Sequence, residues 1–126
     1  MVGIHRFGPS VEEAAAARAF VRGRLREAKC EAPEDDVALL ATELVTNAMR
    51  HADGTGGRLE VECPDGRTAR VAVWDSGGSD LPDRDQIATR GVGGFGLVLV
   101  SEIADRWGAD RVGDQKRVWF EVSASD

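Results

Sequence analysis

The sequence predicts an α+β domain, a two-layer α/β sandwich with helices on one face of a mixed, mostly antiparallel sheet. Three observations carry that prediction. Two helical patterns follow one another in the first half of the chain, with no strand pattern between them. An alternating segment then meets an apolar one across Pro64-Asp65-Gly66, which reads as a hairpin. A third helical pattern and two strand-like runs complete the order β-α-α-β-β-loop-α-β-β.

Ile4 to Phe7 reads as a short first strand. Ser10-Val11-Glu12-Glu13 reads as a capping box, with Ser10 as N-cap and Glu13 reaching back. The helix then runs to about Ala28, with Val11, Ala14, Ala15, Phe20, Val21 and Leu25 on its apolar side. Pro33, Glu34, Asp35 and Asp36 open the second helix, because proline and acids suit the positive N-terminal end; it stops near Gly54. Leu59, Val61 and Cys63 alternate with Arg58, Glu60 and Glu62, the period of a strand. Ala69 to Trp74 is nearly continuous in apolar residues, which predicts burial on both faces. Ser79 to Arg90 is polar and weakly periodic, either a functional lid or the carrier of a short helix around Asp83 to Thr89. Gly96 opens the third helix, which ends near Trp107-Gly108. The last strands, Ala109 to Val112 and Arg117 to Val122, join through Gly113-Asp114-Gln115-Lys116.

A chain of 126 residues fits one domain with one hydrophobic core. It has no apolar run long enough for a membrane helix, and Met1 to Arg6 has no signal-peptide character. The net charge of −6 argues against direct nucleic-acid binding. Cys30 and Cys63 lack metal-ligand spacing; without an export signal they are expected to be reduced thiols in a cytoplasm.

Chemistry concentrates in three places. Glu43, Asn47 and His51 are four residues apart, so a helix stacks them on one side. Leu40, Leu44, Val45, Ala48 and Met49 load the other side. Mg²⁺ takes hard oxygen ligands and keeps several waters, so the single side-chain oxygen of Asn47 suffices as a protein ligand. Glu43, one turn away, is placed to order a metal-bound water or accept a proton from an attacking hydroxyl. Arg50 is in reach of a phosphate. The competing reading is a solvated polar face; Asn47, a mediocre helix former among good ones, weakens it. Asp75 ends an apolar strand before two glycines, where a carboxylate is costly unless paired. It suits an exocyclic amine such as adenine's, or equally an Asx turn at the strand end.

Six of the fifteen glycines lie between Gly77 and Gly96. Gly93-Gly94-Phe95-Gly96-Leu97 enters a helix, so its N–H groups and the dipole suit a triphosphate; a plain surface loop is the alternative. The string Gly91 to Gly96 matches G-x-G-x-x-G, but no strand directly precedes it, which argues against a dinucleotide fold. No Gly-Lys-Ser/Thr occurs, and none of the companion motifs of eukaryotic-type kinases follows.

Together these residues resemble the GHKL, or Bergerat-fold, ATP-binding family, and most of all its small anti-sigma-factor serine kinases of the RsbW type. Glu43-Leu44-Val45-Thr46-Asn47-Ala48 with His51-Ala52 is similar to that branch's N-box. Asp75-Ser76-Gly77 through Pro82 is similar to its G1 box, and Gly94-Phe95-Gly96-Leu97 to its G2 box. Ala104 to Gly108 and Lys116 to Phe120 resemble the short actinobacterial members. The likeness spans nearly the whole chain. It implies one ATP-binding domain over residues 1–126, with an ATP lid over about 78–95. Asn47 would hold Mg²⁺, Glu43 would be the catalytic base or a water-orienting acid, Asp75 would bind the adenine amine, and Gly77 would shape its pocket. Gly93, Gly94, Phe95, Gly96 and Leu97 would line the phosphates, with Arg50, His51, Arg90 or Lys116 adding polar or positive groups.

The resemblance further implies phosphorylation of a STAS-domain anti-anti-sigma protein, binding of a sigma factor in the alternative state, and dimer formation. Three departures bear on catalytic rate more than on nucleotide binding. Arg117 stands where the family often has a threonine near the adenine-bound water. Phe95 stands where short members often carry arginine. The lid is short. They leave a nucleotide-gated binding module with little kinase activity as the alternative. A catalytic piece of a sensor histidine kinase fits less well, since the chain starts at Met1 with no phosphoacceptor helix.

Overall fold

The computed structural model describes residues 2–10, 12–51, 56–76 and 95–125, with side chains for all of these except 50, 51 and 95–98. Among the described residues five strands and three helices are formed: β1 (Gly3–Phe7), α1 (Glu13–Glu27), α2 (Glu34–His51), β2 (Gly57–Glu62), β3 (Thr68–Asp75), α3 (Phe95–Ile103), β4 (Arg106–Val112) and β5 (Gln115–Ser123). The strands make one sheet in the order β1-β2-β3-β5-β4. The sequence left room for a mixed sheet; every described pairing is antiparallel.

One face of the sheet carries the core. Leu59 and Val61 of β2, Val71 and Val73 of β3, Phe120 and Val122 of β5 and Trp107 of β4 are all buried. They meet Val21 and Leu25 of α1, Val37, Leu40, Leu44 and Val45 of α2, and Val100 of α3. The helices leave the opposite face open. There Trp74 lies under the guanidinium of Arg58 at 4.6 Å and near that of Arg117 at 5.2 Å. Its indole N–H donates to Glu60 at 2.7 Å. Ion pairs continue across the same face, Arg70 to Glu121 at 2.8 Å and to Glu62 at 3.1 Å. β3 therefore alternates between buried residues and half-buried or exposed ones, and the expected burial on both faces does not occur. Its apolar run is continuous because Ala72 and Trp74 contribute to the open side.

Several boundaries move for local reasons. The capping box does not form: the N-cap is Glu12, without a side-chain cap, and the hydroxyl of Ser10 contacts the Glu12 carboxylate. Ala15 is exposed and Ala17 takes the core position. α1 closes with Lys29 at φ 53°; the Cys30 N–H donates to the Leu25 carbonyl at 2.9 Å and that of Lys29 to Arg26 at 3.1 Å. That pattern usually has glycine in the left-handed position. α3 ends at Ile103, earlier than the apolar periodicity suggested, because Trp107 joins β4 and packs into the core. The final hairpin turns through Gly113 and Asp114 alone, with Gly113 at φ 65° and Val112 opposite Gln115. Gln115 and Lys116 thus belong to β5 rather than to the turn.

Cys30 and Cys63 are joined in a disulfide, with Cα atoms 6.0 Å apart, which corrects the expectation of reduced thiols. Their separation in sequence hid their proximity. The segment after α1 folds over the β2–β3 turn, where the Glu31 N–H donates to the Gly66 carbonyl at 2.9 Å and Arg67 pairs with Glu31 at 2.9 Å. No described helix is long and apolar enough to cross a membrane.

Candidate functional site

The elements that carry the candidate residues meet along one edge of the sandwich. β3 ends there at Asp75, opposite Gly57 of β2 and Lys116 of β5. α2 reaches the same edge, since its last residue, His51, precedes Gly57 by only six positions. α3 ends three positions before Arg106, which pairs with Glu121 at the far end of the sheet. A helix of this length running to that end starts on the Asp75 side.

Asp75 and Lys116 are the two buried charged residues among those described, 3 % and 6 % exposed. Both sit on the helix-facing side, continuing the buried rows Val71-Val73 and Val118-Phe120. The Lys116 Nζ lies 3.9 Å from Asp75 Oδ2. A carboxylate among apolar neighbours needs such a partner, so the cost read from the sequence is met across the strand pair.

Arg117 points to the other face. It pairs with Asp110 through Nε at 2.9 Å and stacks near Trp74. The hydrogen bonds it donates to Asp110 hold its guanidinium charged beyond the ordinary arginine range. The position facing Asp75 is therefore 116 and not 117, so Arg117, expected where the family often has a threonine near an adenine-bound water, lies on the face away from Asp75. The signal was available as strand alternation from Val118 and Phe120, but the expected turn ended two residues too late.

On α2, Glu43 and Asn47 are half-buried beside the fully covered Leu44, Val45 and Ala48. They lie at the margin between core and edge, as a stripe with an apolar neighbour requires. The Asn47 Nδ2 is buried without a hydrogen-bond partner, a polar atom whose position calls for one. Arg50 and His51 are in the last turn of α2, their side chains outside the described set. Phe95, Gly96 and Leu97 form the first turn of α3, which contains no acidic residue. Gly77, Arg90, Gly93 and Gly94 lie outside the described residues, as does most of the expected lid. The edge thus gathers a buried acid, a buried ammonium, an unpaired amide, a carboxylate and a helix N-terminus. That donor set fits a nucleotide with a magnesium ion: an acceptor for a base amine, an oxygen for a hard cation, and N–H groups for an anion. Among the described residues there is no cluster of three or more His, Cys, Asp or Glu suited to a metal by protein ligands alone.

Comparison with known proteins agrees with this fold. The fold is similar to that of the RsbU and RsbW domains of Rv1364c from Mycobacterium tuberculosis (TM-score 0.69, 15% identity), covering 99% of this chain and 33% of that one. It is similar to the Acinetobacter baumannii histidine kinase AdeS (TM-score 0.59, 12% identity), covering 100% of this chain and 70% of that one. It is also similar to full-length ShkA, solved in complex with AMPPNP (TM-score 0.56, 17% identity), covering 98% of this chain and 32% of that one. The chain thus spans about a third of the first of these. A comparison with curated proteins found no match. A family profile described as the histidine kinase-like ATPase domain matches residues 7–122. With the five-stranded antiparallel sheet, the described helices that cover it and the polar edge, that match establishes that the chain belongs to the histidine kinase-like ATPase (GHKL) family.

Proposed function

We propose that this domain is an ATP- and Mg²⁺-dependent serine/threonine kinase of the anti-sigma-factor type. It transfers phosphate to a STAS-domain anti-anti-sigma protein and holds a sigma factor in the alternative state. The observation that carries the reading is the buried Asp75 at the same edge as Asn47, Glu43 and the start of α3. Asp75 accepts from the adenine amine, with Gly77 beside the ring. Asn47 supplies one oxygen to Mg²⁺, which when bound neutralises phosphate charge. The α3 N-terminus and Gly93, Gly94, Gly96 and Leu97 cradle the phosphates, helped by Arg50, His51 and Arg90. Glu43 takes the proton of the substrate hydroxyl as its oxygen bonds to the γ-phosphorus and ADP leaves. Such transfer is chiefly positioning and charge neutralisation, which suits a site with few reactive side chains. The RsbW domain named in the Mycobacterium tuberculosis relative supports the partner-switching context. A cytoplasmic site of action and a dimer complete the reading.

The test is incubation with radiolabelled ATP-Mg²⁺ and the STAS protein encoded nearest to this chain. Label on a STAS serine or threonine that disappears in both Asn47→Ala and Glu43→Ala supports the kinase. Phe95, where short members carry arginine, favours the alternative of a nucleotide-gated binder; tight ATP binding without label would establish that instead. Absence of ATP binding would remove the site assignment.

A further inference from the structure

We propose that Cys30–Cys63 is a reversible redox latch, made and broken in the folded domain, through which the surrounding thiol pool sets the stability of the protein. This rests on the proposed cytoplasmic site of action. A disulfide in that compartment is characteristically transient or redox-sensing, whereas an oxidising compartment makes it a permanent staple. Three observations carry the latch. The chain has two cysteines and both are in this bond, so oxidation within the chain has one product and no alternative pairing. Both residues are half-buried rather than sealed in the core, which leaves the access that thiol exchange requires.

The third observation is the set of bonds around the disulfide. On one side, the Cys30 N–H donates to the Leu25 carbonyl at 2.9 Å and fixes the end of α1. On the other, Asp65 accepts from the Arg67 and Thr68 N–H groups at 2.9 and 2.6 Å and shapes the turn after Cys63. Between them run the hydrogen bond from the Glu31 N–H to the Gly66 carbonyl and the Arg67–Glu31 ion pair, both 2.9 Å. These bonds involve neither sulfur. After reduction they keep the two thiols adjacent, so the disulfide re-forms without unfolding. In the unfolded chain the same cysteines are 33 positions apart, and the link removes much of that chain's freedom. Redox state therefore acts on the balance between native and unfolded chain and leaves the fold as it is.

The co-reactant is a low-molecular-weight disulfide. One cysteine thiolate attacks it, forming a mixed disulfide and releasing one small thiol; the second cysteine thiolate then displaces the other. Two electrons pass from the protein to the small disulfide, and the two cysteine protons end on the two released thiols. Reduction runs the same steps backwards.

The experiment equilibrates the full chain in glutathione buffers of graded ratio, ending at one as reducing as a cytoplasm. Free thiols are alkylated and counted by mass, and hydrogen exchange of the slowest β3 and β5 amides is followed in parallel. The disulfide is expected to be lost at the cytoplasmic ratio and regained on return to oxidising buffer, with native tryptophan fluorescence throughout. Exchange of the slowest amides is expected to quicken about thirty- to eight-hundredfold in the reduced form. A bond that persists at the cytoplasmic ratio, a reduced form that re-forms it only after unfolding, or exchange that ignores reduction overturns the proposal. These arms use wild-type protein, so they do not depend on a variant that folds. In a folded Cys63→Ala variant, exchange is expected to stay fast in every buffer; a variant that still responds to the ratio overturns the assignment to this pair. Failure of the underlying reading looks different. Thiols trapped by alkylation in the cells that make the chain, followed by fractionation, report where it is: recovery outside the cytoplasm removes the location reading. A cytoplasmic chain whose bond ignores an added thiol oxidant or reductant overturns the latch alone.

Discussion

Removing one partner of the Asp75–Lys116 pair leaves the other charge buried among valines. Lys116→Met is therefore expected to destabilise the apo protein by about 3–5 kcal/mol, read from urea midpoints. The double variant Asp75→Asn/Lys116→Met leaves no buried charge and is expected to recover most of that loss. If the two single effects simply add, the pair is not coupled. Asp65 shows a weaker version at the surface. The Arg67 and Thr68 backbone N–H groups donate to it at 2.9 and 2.6 Å and hold its carboxyl below the ordinary 3.8. A depressed folded-state pKa gives stability that is present above about 3.8 and lost as pH falls through the folded value. Urea midpoints measured between pH 5 and 2 should fall less steeply in Asp65→Asn than in wild type.

At the scale of elements, α1 and α2 are held at their junction by Arg22–Asp35 at 2.8 Å and Arg26–Glu34 at 2.7 Å. The acids read from the sequence as partners of the α2 dipole thus also bind the preceding helix. Between these helices, Lys29 occupies a left-handed position that glycine adopts without strain. Lys29→Gly should raise stability by about 0.5–1 kcal/mol in chemical denaturation; a loss would mean that the extra freedom of the unfolded chain outweighs the relieved strain. The same junction is tied to β2 by Cys30–Cys63. Reduction, or Cys30→Ser, should lower stability by about 2–4 kcal/mol, chiefly by freeing the unfolded chain, and thermal melts with and without reductant would measure it. The bond lies at the end of the sheet away from Asp75, so ATP affinity should change little at temperatures where the reduced form is folded.

At the scale of the whole molecule, the helices cover one face of the sheet, and the site occupies an edge where α2, α3, β3 and β5 end or begin. A nucleotide bound there contacts several elements at once and stabilises the native state by mass action. With Mg²⁺-ATP at a hundred times its dissociation constant, the gain is about 2.7 kcal/mol, a shift of several degrees in the melting temperature. The shift should shrink strongly in Asp75→Asn. An unchanged shift in that variant would place the nucleotide elsewhere.

Much of this was legible in the chain because it is written locally. The α2 stripe, the β2–β3 hairpin and the glycine-rich entry to α3 depend on period and turn chemistry, and these predicted the order of elements and the family likeness. What tertiary structure alone decided are relations between residues far apart in sequence. Cys30 meets Cys63 because the α1–α2 junction crosses the β2–β3 turn. Lys116 meets Asp75 because the last hairpin turns within two residues, which moves Lys116 into β5 and turns Arg117 to the open face. Strand alternation makes such a placement all or nothing: a one-residue shift in register exchanges the helix-facing side for the open side.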